Sequence, residues 1–216
     1  MLSIAFIDEL DKHRFYIDVG ANSPHDDSVT KLFYDLGWKG INIEPITYLH
    51  DQLQEARPND INLPILVGQE AKDITFCEII SESHGLSTAN SEEIKKLQER
   101  QLPFKTYSVK QKTLDQVFEE YNVSLVSFLK IDVEGNEKEV LEGITLSKNR
   151  PIVIVVESTF PCTMTPSYQD WEHIITENDY VFALSSVINR YYVRKENPEY
   201  LARFALAGRI MKMLED

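Results

Sequence analysis

The sequence predicts an α/β domain, in which a mostly parallel sheet carries helices on both faces. Three observations lead there. Apolar runs of strand length alternate with segments of helical spacing along the 216 residues. One run, PIVIVVE (151–157), is apolar at successive positions, as in a strand buried on both faces. Connections of helix length between the runs suit parallel crossovers.

The elements follow in order. FYIDV (15–19) is the first strand. Residues 28–36 show helical apolar spacing, and Gly37 closes that helix. INIE (41–44) is the next strand and TYLHDQLQEA (47–56) a helix that ends before Pro58. INLPILV (61–67) is a third strand, with Pro64 marking an irregularity or an edge. ITFCEII (74–80) and FKTYSVK (104–110) are strands flanking a helix, which Asn90 and Glu93 open with a capping-box pattern. A helix over 113–121, a strand over 125–132 and a helix over 136–144 precede the apolar strand at 151–157. A helix over 168–179 follows, and 181–184 with 190–193 form a closing antiparallel pair.

Composition bounds the function. The chain is 43% hydrophobic and 26% charged, with no internal repeat or linker, so one domain over 1–216 is expected. Acids outnumber Lys and Arg by 35 to 22, a net charge of -13 that argues against a nucleic-acid partner. The run Ile152–Val156 is too short to span a bilayer, and the first residues carry acids too early for a signal peptide. Cys77 and Cys162 lack metal-ligand spacing and read as reduced thiols, which makes the cytoplasm the expected location.

In an open sheet of this kind ligands sit beyond the carboxyl ends of the strands. Those ends read Asp18-Val19-Gly20, Glu44-Pro45, Gly68-Gln69-Glu70, Asp132-Val133-Glu134-Gly135 and Glu157-Ser158. Glu44 follows Gly20 by 24 residues (44 − 20), near the spacing at which an acid accepts both ribose hydroxyls of a nucleoside. The turn ANSPHDDS lacks the glycines that cradle a pyrophosphate. A ligand with a ribose, no pyrophosphate and positive charge fits, and S-adenosylmethionine has these features.

The stretch FYIDVGANSPHDDSVTKLFYDLGWKGINIEPI, joined in order with FLKIDVEGNEKEVLEGI, resembles the FkbM family of S-adenosylmethionine-dependent methyltransferases. The resemblance implies the class I, Rossmann-like fold, with a seven-stranded sheet and an antiparallel closing strand. It implies that Asp18, Gly20, Ala21 and Asn22 form the first cofactor motif, and that Glu44 with Pro45 holds the ribose. Gly68 and Gln69 fall where the adenine is approached, and Asp132, Glu134 and Gly135 match the motif after the fourth core strand. Members similar over 166–196 are associated with glycan and polysaccharide synthesis.

Methyl transfer to a hydroxyl needs positioning and a proton acceptor. Asp132 or Glu134 is the expected general base, with His25 a third candidate. Lys130 shares a face with Asp132 by period two and reads either as a catalytic residue or as a salt bridge to a neighbouring acid. Glu157, after a fully apolar strand, joins the catalytic candidates. Asp132 and Glu157 offer oxygen ligands at two adjacent strand ends, but without a denser acidic loop no metal is expected. Asn189, Arg190 and Tyr191 are candidates for binding a carbohydrate or small-molecule acceptor, with a packed Tyr pair as the plainer alternative. Leu201, Phe204, Ala205 and Leu214 mark a terminal packing or homodimer helix. A nicotinamide dehydrogenase and a non-catalytic cofactor-binding scaffold are the competing functions.

Overall fold

The computed structural model describes residues 1–12, 14–80 and 84–215, without the side chains of His84, Leu214 and Glu215. Seven strands form the main sheet: β1 (Phe15–Val19), β2 (Lys39–Ile43), β3 (Ile61–Leu63), β7 (Phe128–Ile131), β8 (Val153–Glu157), β9 (Tyr180–Ser186) and β10 (Asn189–Arg194). Their order is β3-β2-β1-β7-β8-β10-β9. The first five run parallel, while β10 lies antiparallel between β8 and β9. The chain order reverses between β1 and β7, so the switch point falls beside the end of β1.

Two apolar layers enclose this sheet. Tyr16, Phe33, Trp38 and Phe128 pack on one face, where Phe6, Tyr200 and Phe204 join them. Ile17, Val19, Leu129, Ile131, Leu141, Val156 and Trp171 pack on the other. Alternation along each strand sends neighbouring residues to opposite layers. The short N-terminal helix α1 (Leu2–Ala5) lies against the last helix, α8 (Pro198–Glu215). Arg203 of α8 pairs with Asp8 and Glu9 across that contact.

The run over 61–67 breaks at Pro64, as its proline predicts. Residues before it form β3, and β4 (Leu66–Val67) leaves for a second sheet with β5 (Lys72–Ile79) and β6 (Phe104–Lys112), in the order β4-β6-β5. The helices α2 (Lys31–Asp35), α3 (Thr47–Ala56), α4 (Ser91–Glu99), α5 (Leu114–Glu120) and α6 (Glu137–Glu142) match expected segments, most of them shorter. The helix expected over 168–179 is a 3-10 turn, Tyr168–Asp170, followed by α7 (Glu172–Thr176).

Asn90 caps α4 by accepting from the amides of Glu92 and Glu93. The reciprocal bond of a capping box is absent, because the amide of Asn90 donates to Thr88. On α8 the inward stripe is Tyr200, Phe204 and Ala207. Ala205 faces outward, one position off the expected stripe, and the side chain of Leu214 lies outside the described residues.

Candidate active site

A cleft of about 1530 Å³ opens beyond the ends of β1, β2 and β7. Its walls are the turn after β1, the loop after β7, the segment after β8, and the small sheet with the start of α4. A single-ligand pocket typically occupies about 300–1,000 Å³, so this cleft has room for two molecules side by side.

The floor is built around one buried cation. Lys130 lies 3.1 Å from Asp18 and 3.4 Å from Asp132, and its Nζ donates to the carbonyl of Gly20 at 2.9 Å. Burial opposes its charge, but the two carboxylates outweigh that and hold its pKa above the usual lysine value. Lys130 is therefore a fixed ammonium that ties β1 to β7, and the salt-bridge alternative describes it.

Asp18 is only 1% exposed and also accepts from the hydroxyl of Thr30 at 2.8 Å. Thr30 in turn accepts from Arg57, which is buried and also donates to Ser28 and to the carbonyl of Pro24. This chain holds the turn over 22–30 in shape. Nothing in the local pattern of α3 singles out Arg57, which stands at its C-terminal end.

The first turn is shaped by crowding. Gly20 has φ +79°, and a Cβ there would stand 1.8 Å from the carbonyl oxygen of Asp132. Glycine is required by the approach of the two strand ends, whatever the ligand. Ala21, Asn22 and Ser23 follow along the cleft wall.

At the end of β2, Glu44 is 4% exposed and accepts from the amides of Asn22 and Ile46, each at 2.9 Å. Burial pushes its carboxyl up to about 7, although both amide bonds act in the other direction. Each oxygen keeps a lone pair after its amide bond, which suits a pair of ligand hydroxyls. Pro45 and Gln69 also line the cleft. Gly68 does not: it packs against Gln111 and Gly143, behind the wall.

After β7 the chain turns through two left-handed residues, Glu134 (φ +54°) and Gly135 (φ +97°). Glu137 stabilises the turn by accepting from the amides of Val133 and Gly135. Two side chains reach it from the opposite wall. Thr88 donates to the carbonyl of Glu134 at 2.9 Å, and Asn90 to that of Gly135 at 2.7 Å.

The turn brings Asp132 and Glu134 to Glu157, so that one oxygen from each lies within 4.8 Å of the others. Asp132 and Glu134 line the cleft, and Glu157 sits beneath them at 6% exposure with Oε2 unpartnered. At that separation two carboxylates repel by roughly 3–4 kcal/mol at an effective dielectric of about 20. Burial first, then Asp132 and Glu137, pushes the Glu134 carboxyl up to about 8. Burial, then Asp132 and Glu134, pushes Glu157 up to about 10. Without another positive charge, Glu134 and Glu157 hold protons that ordinary carboxyls release.

Other expected residues stand elsewhere. His25 is exposed on the turn after β1 and does not line the cleft. Asn189 lines the cleft, but Arg190 and Tyr191 do not. Adjacent strand residues face opposite ways, so the three cannot form one surface. Tyr191 packs on Phe204 in the outer layer. Arg190 lies over the rings of Tyr168 and Phe182, at 3.8 and 4.1 Å, and pairs with Glu172 at 2.7 Å. The segment after β8 supplies groups that local patterns do not reveal: Ser167 and Trp171 line the cleft, and Ser167 Oγ and Trp171 Nε1 have no partner.

Among the described residues no helix is long and apolar enough to cross a membrane. No curated protein matches the sequence. The fold is similar to the crystal structure of methyltransferase FkbM from Methylobacillus flagellatus KT, with a TM-score of 0.54 and 14% identity. The match covers 85% of this chain and 44% of that one, so this chain spans less than half the length of that protein. The model of the methyltransferase FkbM domain matches residues 18–182, from the acid at the end of β1 into β9. The chain belongs to the FkbM methyltransferase domain family.

Proposed function

We propose that the protein is an S-adenosylmethionine-dependent O-methyltransferase whose acceptor is a sugar hydroxyl on a glycan or a cell-surface polysaccharide precursor. The observation that carries the cofactor assignment is Glu44, a buried carboxylate beside a turn with no phosphate cradle. The acidic lining, with Asp26, Asp27, Glu44, Asp132 and Glu134, fits a ligand bearing hydroxyls and positive charge. S-adenosylmethionine, when bound, supplies an electrophilic methyl carbon on a sulfonium.

The chain's own residues divide the remaining work. Glu44 accepts the ribose hydroxyls, and the turn from Gly20 to Asn22 borders the rest of the cofactor. Lys130 positions Asp132 by its ion pair. Asp132 and Glu134 face the acceptor and take the hydroxyl proton as the oxygen attacks, a role typically worth about 10²–10⁴-fold. Ser167, Trp171 and Asn189 offer hydrogen bonds and an aromatic face, which suit the hydroxyl edges and C–H faces of a sugar. We place the protein in the cytoplasm, since one of its two cysteines is buried and both are unpaired.

The test has two parts. Calorimetric titration with S-adenosylhomocysteine and with NAD should show binding of the first alone, and Glu44→Ala should weaken it by roughly 1–3 kcal/mol. Unchanged affinity moves the ribose site elsewhere. Label from radioactive cofactor should then enter a glycan pool, and not RNA or protein. Label found only in small metabolites would replace the sugar acceptor with a natural product.

A further inference from the structure

We propose that Asp132, Glu134 and Glu157 form a binding site for one hard divalent cation, of the Mg²⁺ or Mn²⁺ class. The sequence alone leads to the opposite expectation, because beyond Asp132 and Glu157 at two adjacent strand ends no denser acidic loop is visible. The fold closes that gap by placing β7 beside β8 and turning the chain back through Glu134.

Two independent features carry the proposal. The first is convergence: one oxygen from each of three carboxylates lies within 4.8 Å of the others, a spread that a single ion bridges with small rotamer changes. The second is Glu157 itself. It is 94% buried (100 − 6), it ends a strand that is otherwise apolar, and its Oε2 has no hydrogen-bond partner. A buried carboxylate oxygen left bare is costly unless something positive meets it. Lys130 does not, because its ammonium is committed to Asp18, Asp132 and the Gly20 carbonyl.

The balance of charge agrees. The three carboxylates carry three negative charges when ionised, against part of one from Lys130, which leaves about two to be matched. All-oxygen coordination from carboxylates selects Mg²⁺, Mn²⁺ or Ca²⁺ over softer metals. Asp132 and Glu134 line the cleft, so the ion's remaining positions face the space open to an acceptor. A role in catalysis rests on the methyltransfer reading above: the ion would hold and acidify the acceptor oxygen, whose proton passes to a carboxylate oxygen not used in coordination. Binding itself does not rest on that reading.

The experiment therefore measures binding directly, without cofactor or acceptor. Full-length protein stripped with EDTA and dialysed is titrated with Mn²⁺, followed by electron paramagnetic resonance, and with Mg²⁺ by calorimetry. One site of sub-millimolar affinity is expected. Glu157→Gln should weaken it by more than the roughly 10–100-fold that losing even an outer-shell partner costs. Glu55→Gln, on the exposed face of α3, should leave it unchanged. If Glu157→Gln does not fold, Glu134→Gln takes its place. No binding at millimolar metal, or equal affinity in the Glu157 or Glu134 variant, overturns the proposal and leaves shared protons as what neutralises the cluster. A protein that binds the ion but transfers no methyl group overturns only the proposed function.

Discussion

Replacing Lys130 with methionine isolates the electrostatic tie under the cleft. The ammonium meets Asp18 at 3.1 Å, Asp132 at 3.4 Å and the Gly20 carbonyl at 2.9 Å, with the side chain 9% exposed. Methionine fills similar volume, so packing changes little and the loss is one of charge. Asp18 would keep only the Thr30 hydroxyl as donor while remaining sealed from water. Removing one partner of a buried pair costs about 3–5 kcal/mol, because the other charge stays behind uncompensated. At roughly 2–4 °C per kcal/mol for a chain of this size, the melting temperature should fall by about 6–20 °C. The assay is thermal unfolding by circular dichroism of Lys130→Met, Asp18→Asn and the double variant. The double variant should be less destabilised than the sum of the two, by about 0.5–3 kcal/mol. A Lys130→Met shift below about 3 °C, or strict additivity, would refute the view that this cation is structural.

Further outcomes follow from the acid cluster and the outer strand. Burial and mutual repulsion push the carboxyls of Glu157 and Glu134 up to about 10 and about 8 in the folded chain, from an ordinary value of 4.5. Their protonated forms favour folding, so this contribution is complete below about pH 4.5, declines as pH rises, and is gone above about 10. The urea midpoint of the metal-free protein should fall between pH 6 and 9, and Glu157→Gln should flatten that slope. An identical slope in the variant would remove Glu157 as the cause. Arg190→Ala should cost about 1.5–3 kcal/mol of stability through its bonds to Glu172 and Tyr192, and leave the acceptor KM unchanged. A raised KM at wild-type stability would return Arg190 to the acceptor site.

The strand ends are readable because four of the five runs that reach the cleft side stop at an acid, and the fold gathers those ends at one rim. Pro64 was readable as a break, since it cannot donate to a ladder. Period two correctly put Lys130 and Asp132 on one side, but could not say that Asp18 lay across from both. The Arg57 chain was hidden because its partners stand 27 to 33 residues away in sequence. Glu157 was suspect as a lone acid after an apolar strand, yet its meeting with Glu134 depends on a left-handed residue that side-chain pattern does not announce. Asn189, Arg190 and Tyr191 are neighbours on a strand, and the pattern does not show that only Asn189 lines the cleft while Arg190 pairs with Glu172 and Tyr191 packs on Phe204.

The two hydrogen bonds from Thr88 and Asn90 to the turn at 134–135 join parts of the chain with different tasks. The small sheet and the start of α4 wall the cleft, while the turn carries a carboxylate of the acid cluster. Under the proposed function, an acceptor that pressed this wall outward would strain these bonds and draw Glu134 away from Asp132 and Glu157. One that fits leaves the three carboxylates together. Selectivity would then be exercised in the rate of the chemical step as well as in affinity, with the wall acting as a gauge whose reading is the spacing of the acids.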